Sequence, residues 1–311
     1  MLISEHLRDL QVNPARHPNG HPHLSAASGL VRVGRRLYVV ADDENHLGML
    51  SANGRAPLQL IRLFEDDLPL EKYQRKKAKP DLESLVHWPA TPGYPFGALL
   101  ALGSGSTPKR CQAVLLPLDA AGKVIERLQT VDLSPLYQRL RRSFSDLNIE
   151  GAFVSEGQVC LLQRGNKGAS PNAIVRFHAN DFIAWLKGNQ NEHPPVLAIH
   201  QIDLGEVDGV PLSLTDGAAL GDQRGAGSWV FSAVAEDTDN SYLDGACVAS
   251  VIGIADAEGR VVQMHRLKGA PKVEGISVQT RGRELVVNMV TDADDPVLAS
   301  QLLRVRLKVQ N

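Results

Sequence analysis

The sequence predicts an all-β fold, a five-bladed β-propeller of four-stranded antiparallel blades. Three observations predict it. Short apolar runs, alternating or solid, are punctuated by Gly, Asp, Asn and Pro, and long amphipathic stretches are scarce. One short phrase, an acidic or small residue followed by Gly or Ser and an apolar stretch, recurs at intervals of roughly 60 residues. Further apolar runs separated by polar loops follow each copy, as in a radially repeated antiparallel sheet.

The blades read off in order. Blade one (24–66) opens on Ser28-Gly29-Leu30-Val31 and continues through Arg36–Val40, His46–Leu50 and Leu58–Phe64. Blade two (80–133) opens on Glu83-Ser84-Leu85-Val86, with Ala98–Leu102, Ala113–Pro117 and Val124–Val131 behind it. Blade three (147–204) opens on Glu150-Gly151-Ala152-Phe153 and adds Val159–Leu162, Ala173–Phe177 and Val196–Ile202. Blade four (213–268) opens on Asp216-Gly217-Ala218-Ala219 and adds Trp229–Ala233, Ala246–Ile254 and Val261–Leu267. Blade five (272–309) opens on Glu274-Gly275-Ile276-Ser277, adds Leu285–Met289 and Gln301–Leu307, and lacks a fourth strand. Residues 1–10 have the look of the other fourth strands. Pairing them with blade five closes the ring and removes an exposed edge. The expectation is one domain over 1–311, with six blades, one lacking the phrase, as the alternative. Short helices are expected at Asp181–Lys187 and Leu136–Phe144.

Bulk properties narrow the function classes. A net charge of -2 lacks the basic excess of a general nucleic-acid binder. No apolar run approaches the ~18 residues of a membrane span. The first residues lack a basic segment followed by an apolar one, and Cys111, Cys160 and Cys247 are widely spaced, so a reduced, cytoplasmic protein is expected.

Strand alternation places the loop entering each first strand and the loop between the second and third strands on one face. Ser28, Glu83, Glu150, Asp216 and Glu274 are thereby expected around one channel mouth, with the loops at Asp42–Asn45, Gly103–Ser106, Arg164–Lys167, Glu236–Asp239 and Asp292–Asp295. Carboxylates ~4 Å apart repel by roughly 4 kcal/mol at an intermediate dielectric, so protonation, Arg or Lys, or a cation must offset them. An oxygen-only array suits Ca²⁺, while the absence of His or Cys from the phrase argues against zinc. The competing reading is structural: the acids bond backbone amides, and the glycines permit close packing at the axis.

Pro80-Asp81-Leu82-Glu83-Ser84-Leu85, Leu147-Asn148-Ile149-Glu150-Gly151-Ala152 and Lys272-Val273-Glu274-Gly275-Ile276 resemble the phytase-like or esterase-like bacterial propellers, as does Leu102-Gly103-Ser104-Gly105-Ser106-Thr107. The five-fold placement of Ser and acidic residues is also similar to that of the calcium-activated nucleotidases (apyrases). The second resemblance implies a central Ca²⁺, with Ser28, Glu83, Glu150 and Glu274 as ligands. Asp216 departs from the apyrase pattern, and the longer aromatic and basic signatures of apyrases are not evident.

A phosphoester or other small anionic substrate needs cations on the same face. Arg75, Lys76, Lys77, Lys79, Lys109, Arg110, Arg164 and Lys167 are the candidates, although a charge run such as 75–79 also reads as a solvated loop. Ser104, Ser106 and Asn166 join Arg75, Lys79 and Arg164 as expected ligand contacts. Asp42, Asp43, Arg164, Lys79 and Arg110 are the catalytic candidates. Asp42 and Asp43, or Asp292, Asp294 and Asp295, are also placed to hold a second cation or orient water, or to form turns. His17-Pro18-Asn19-Gly20-His21-Pro22-His23 precedes blade one and reads either as surface or as acid–base machinery. Two functions compete: a calcium-dependent hydrolase of small anionic esters, and a non-enzymatic binding propeller with a structural cation. Lactonase or sugar-acid chemistry stands behind them.

Overall fold

In the computed structural model, which describes residues 1–125, 127–166, 170–188, 193–221, 227–237 and 245–308, the strands form five antiparallel sheets. Blade one is β2 (Ala27–Val33), β3 (Arg36–Ala41), β4 (His46–Ser51) and β5 (Gln59–Arg62). Blade two is β6 (Leu82–Trp88), β7 (Ala98–Gly103), β8 (Gln112–Pro117) and β9 (Gln129–Asp132). Blade three is β10 (Ile149–Ser155), β11 (Gln158–Gln163), β12 (Ala173–His178) and β13 (Ala198–Gln201). Blade four is β15 (Val210–Ala219), β16 (Trp229–Glu236), β17 (Cys247–Ala255) and β18 (Val261–Arg266), with the two-residue β14 (Glu206–Val207) paired to the start of β15. Blade five is β19 (Val273–Arg281), β20 (Glu284–Thr291) and β21 (Gln301–Lys308), completed by β1 (Glu5–Asp9).

The innermost strands contact one another in the cycle β2, β6, β10, β15, β19 and back to β2, so the ring has five members and six blades are excluded. Closure is by the amino-terminal strand: β1 runs antiparallel to β21, with Glu5 opposite Arg304 and Asp9 opposite Gln301. The apolar faces of adjacent blades bury a hydrophobic cluster in each of the five gaps. The gap between blades two and three is the most elaborated. There α2 (Ser134–Leu140) and α3 (Ala179–Lys187) bury Leu136, Tyr137, Phe182 and Trp185. These helices start two residues before the sequence-predicted ones, and α2 ends at Leu140 rather than Phe144.

A third helix, α1 (Lys72–Ala78), corrects the reading of the charge run before blade two as a solvated loop. The Glu71 side chain accepts from the Tyr73 and Gln74 amides and starts it. Arg75 and Lys79, inside and just beyond this helix, are buried because mouth carboxylates receive them. No helix among the described residues is long and apolar enough to cross a membrane. Cys111, Cys160 and Cys247 are free thiols.

Every innermost strand carries a β-bulge at the same height. The ladder skips Ser28, Glu83, Glu150, Thr215 and Glu274. A bulge residue has no partner across the ladder and re-aims the chain locally. The next position faces the neighbouring blade closely. A Cβ on Gly151 would lie 2.8 Å from the Asp216 Cα, and one on Gly275 would lie 2.7 Å from the Ser28 carbonyl oxygen. Glycine at these two positions permits that approach.

Candidate functional site: a charged channel mouth

The bulges collect the predicted acids at one mouth, with one correction. In blade four the equivalent residue is Thr215, whose hydroxyl bonds Ser232 Oγ at 2.8 Å and the Val273 carbonyl at 2.8 Å. Asp216 lies one residue further, at the place glycine holds in blades one, three and five. Its carboxylate accepts from the Gly217 and Ile276 amides at 2.7 and 2.8 Å and so ties blade four to blade five. Asp216 is therefore a backbone clamp rather than the fifth member of the ring. The Asp-Gly pair in blade four copied the neighbouring phrases while sitting one residue out of register. Ser28 occupies the expected bulge, and its hydroxyl donates to the Ala26 carbonyl at 3.1 Å.

Four of the five predicted loops begin on this face, because ladder bonds continue past the strands of blades one, two, three and five. Asp42, Ser104, Arg164 and Asp292 donate backbone N–H groups to the carbonyls of Ala26, Asp81, Asn148 and Lys272. Each of those carbonyls lies two residues before a bulge. Strand alternation therefore brings Asp81, Asn148 and Lys272 beside Glu83, Glu150 and Glu274, a polar spacing of two that the sequence carries in all three blades.

The mouth divides into three connected clusters. Against blade two, Lys79 is paired with Asp42 and lies 2.9 Å from Asp81, whose other oxygen accepts from Arg110 at 2.8 Å and from Ser104 Oγ. Ser106 Oγ in turn accepts from Arg110 at 2.9 Å. Carboxylate oxygens of Asp42, Asp81 and Glu83 all lie within 4.8 Å of one another. Asp81 is a non-glycine residue in the left-handed region, at φ 57°, and such conformations concentrate where surrounding structure over-determines them. Glu83 is partly exposed, and among the described residues its carboxylate makes no hydrogen bond or close ion pair. Burial, and then the charges of Glu150, Asp81 and Asp42, hold it protonated well above the usual carboxylate range. Asp42 is pushed up to about 6 by burial against the opposing pull of Lys79. Asp81 is lowered, because Lys79 and Arg110 outweigh its burial.

Against blades three to five, Arg164 sits among three glutamates from three blades. It pairs with Glu236 and lies 3.4 Å from Glu150 and 3.7 Å from Glu274. Asn148 donates to Glu150 at 2.6 Å. Lys272 reaches Asp294 at 2.6 Å, Glu236 at 3.4 Å, Glu274 at 3.6 Å and Asp292 at 3.7 Å. Glu274 is pushed up to about 8, mainly by burial, and its Oε2 has no hydrogen-bond partner among the described residues. The third cluster, at blade one, centres on Glu44. Its oxygens meet Arg75 at 2.9 Å, His17 at 3.0 Å and His46 at 3.6 Å, and these partners outweigh burial to hold it at about 2. Asp43 accepts from Ser25 at 3.2 Å.

Asp42, Asp43, Glu44, Asp81, Glu83, Glu150, Glu236, Glu274, Asp292 and Asp294 thus share five permanent cations, Arg75, Lys79, Arg110, Arg164 and Lys272. Each of those cations is paired with a carboxylate, so none is the open anion receptor that the sequence suggested. Asn166 turns away from this centre: it donates to Asp146 at 2.6 Å and lines a separate cavity between blades three and four. Lys167, Thr238 and Asp239 lie outside the described residues. The residues that sequence reasoning did not single out as ligands or bases are Glu44, Asp81, Glu236 and Lys272.

The model of DUF6929, a family of unknown function, matches residues 23–307. The chain belongs to the DUF6929 family. No curated protein matches it significantly. Two solved structures resemble this DUF6929 propeller over nearly its full length. A glucose dehydrogenase gives a TM-score of 0.51 at 12% identity, covering 97% of this chain and 98% of that chain. Myxococcus xanthus glutaminyl cyclase gives 0.50 at 11% identity, covering 99% and 98%. At such identities the likeness is one of fold. Neither match is a phytase or an apyrase, so the resemblance seen in the repeats of the DUF6929 chain has no counterpart in these two structures.

Proposed function

We propose that this propeller is a divalent-cation-dependent hydrolase of small anionic esters, working at the channel mouth, with calcium held by Asp42, Asp81 and Glu83. The observation that carries the reading is the approach of three carboxylate oxygens to within 4.8 Å of one another. They come from two blades, and one of them, Glu83, lacks a close cationic partner. The donor set is all oxygen, which fits calcium's irregular shell better than magnesium's tight octahedron, and it contains no His or Cys for zinc. The acids at the mouth outnumber the cations two to one, and the proton that burial and like charge hold on Glu83 is what a bound cation would displace.

A bound divalent cation supplies polarisation of an ester oxygen and a lowered pKa for water. The chain's own residues do the rest. Lys79 and Arg110 fix Asp81, and Ser104 and Ser106 orient the same carboxylate and Arg110. Because the five cations are already paired, an anionic substrate is received only when the cation is present. That requirement predicts strict metal dependence of binding as well as of turnover. Calorimetric titration of the full chain with CaCl₂ tests the site. Glu83→Gln is expected to weaken calcium binding by at least tenfold while leaving the thermal unfolding temperature close to that of the wild type. Unchanged calcium affinity in this variant, or phosphoester turnover indifferent to a chelator, overturns the reading.

A second reading draws on Arg164. Its position among Glu150, Glu236 and Glu274 closes that side of the mouth with protein charge alone. This favours a non-enzymatic binding propeller whose ring is purely architectural. Calcium binding without turnover of any phosphoester in a broad panel selects it.

A further inference from the structure

A cavity of about 180 Å³ opens beside the carboxylate triad, sharing Asp42 with it and also lined by Lys79, the cation paired with Asp42 and Asp81. It lies between the loops that follow β3 and β20. His21, Leu70 and Pro296 are among its lining residues, and the rest of the lining is mostly charged, with five aspartates against Arg75, Lys76 and Lys79. Leu70 is 73% exposed, and Val297 and Leu298, next in sequence to Pro296, are 78% and 54% exposed. Apolar groups beside charged ones are the lining expected for a ligand with one apolar end and one polar end.

The His17–His23 segment explains how His21 comes to face this space. Gly20, at φ 70°, and a bond from its amide to the His17 carbonyl fold the chain back on itself. The His21 ring then packs on the His17 ring, centroids 5.1 Å apart. His17 is fixed in turn: its Nδ1 accepts from the Asn19 amide, so Nε2 carries the proton and donates to Glu44 at 3.0 Å. Arg75 clamps the same glutamate oxygen at 2.9 Å. His17 is buried and committed, whereas among the described residues neither ring nitrogen of His21 is hydrogen-bonded. Burial, His17, Arg75 and His23 push the His21 pKa below its ordinary value and Glu44 pulls the other way, with a net lowering that leaves a neutral imidazole at pH 7.

We infer that this cavity seats the substrate, a phosphoester bearing a small apolar group, with His21 as the proton acceptor for the attacking water and with Leu70 and Pro296 receiving the apolar group. This rests on the proposed cation site at Asp42, Asp81 and Glu83. In the step, the water oxygen forms the new bond to phosphorus, and the ester P–O bond breaks with its electron pair on the departing oxygen. The water proton passes to the free nitrogen of His21 and then to the departing oxygen, so the imidazole ends neutral.

The test follows the His21 imidazole by NMR in the calcium-saturated full chain, with phenyl phosphate and inorganic phosphate as probes. Phenyl phosphate is expected to shift the His21 signal and to bind about tenfold more tightly than inorganic phosphate, a preference that Leu70→Ser removes. His21→Gln is expected to slow phenyl phosphate hydrolysis by roughly 10²-fold with calcium affinity intact, the scale of a lost general base. A His21 signal unmoved by phenyl phosphate overturns the pocket. Equal turnover in the wild type and His21→Gln, zero included, overturns the role of His21. Failure of the wild type to bind calcium while phenyl phosphate still shifts His21 removes the cation site and leaves the pocket standing.

Discussion

Single residues at this mouth do opposite electrostatic jobs within a few ångströms. Lys79 holds Asp42 and Asp81 together and therefore competes with any cation for them. Lys79→Met is expected to tighten calcium binding by about tenfold and to lower the calcium-free unfolding temperature, both read by calorimetry; a looser site in this variant counts against the triad as ligands. Glu274 gives the pH signature. Its carboxyl sits at about 8 in the folded protein against an ordinary value of 4.5. The folded state therefore binds the proton more tightly than the unfolded chain. The stabilisation is complete below the unfolded value and is lost as pH rises through the folded one. Glu83 and Asp292 are raised in the same direction. Wild-type unfolding temperature should fall between about pH 5 and pH 8.5, with an underlying change of up to a few kcal/mol. Glu274→Gln mimics the protonated form and should flatten that fall, and identical slopes in the two proteins would rule out Glu274 as a source. Glu83 and Glu274 were legible because each begins a repeated phrase. Arg164 was legible as a cation on this face, but its pairing with Glu150, Glu236 and Glu274 and the part of Lys272 were not, because these side chains meet their partners only after three blades have closed.

Among the elements, the innermost strands carry the most information per residue. Their apolar runs and their spacing were readable from the sequence, and so were β1 and α3. The bulges were not, since one unpaired residue leaves no trace in a hydrophobic pattern, and that is why Asp216 was aligned with Glu274 when Thr215 holds the equivalent place. Helix α1 was hidden for a different reason. Its sequence, Lys-Tyr-Gln-Arg-Lys-Lys-Ala, has no apolar stripe, and what holds it is the Glu71 cap and the burial of Arg75 in an ion pair. The tight axis gives this scale its prediction. Gly151→Ala pushes a methyl group against the Asp216 backbone, which cannot swing aside as a side chain can. The expected loss is about 1–3 kcal/mol, the range for overpacking, measured by denaturant unfolding. A neutral result would mean that the strands separate freely at the axis.

For the whole molecule, closure depends on two ends of the chain. β1 satisfies the outer edge of β21 and leaves no unpaired strand in blade five. Glu5 and Arg304 are direct ladder partners, so Glu5→Cys with Arg304→Cys offers a covalent latch. Oxidation is expected to stabilise the double variant by roughly 3–5 kcal/mol, because the bond closes nearly the entire chain into one loop. Equal stability of oxidised and reduced forms would show that the latch does not limit unfolding. This closure was legible because blade five lacks a fourth strand and residues 1–10 supply one. The partition of the mouth into three clusters was not, because it depends on which loop side chains cross the axis.

The skipped position in each innermost strand has an evolutionary consequence. Because that residue stands outside the hydrogen-bonded ladder, its identity is released from the demands of strand pairing. The protein already shows Ser, Glu and Thr there. The pore rim can therefore be rewritten one letter at a time, gaining or losing an acid, with the scaffold untouched. Divergence within the family should concentrate its chemical variety at these five places and at their neighbours two residues upstream.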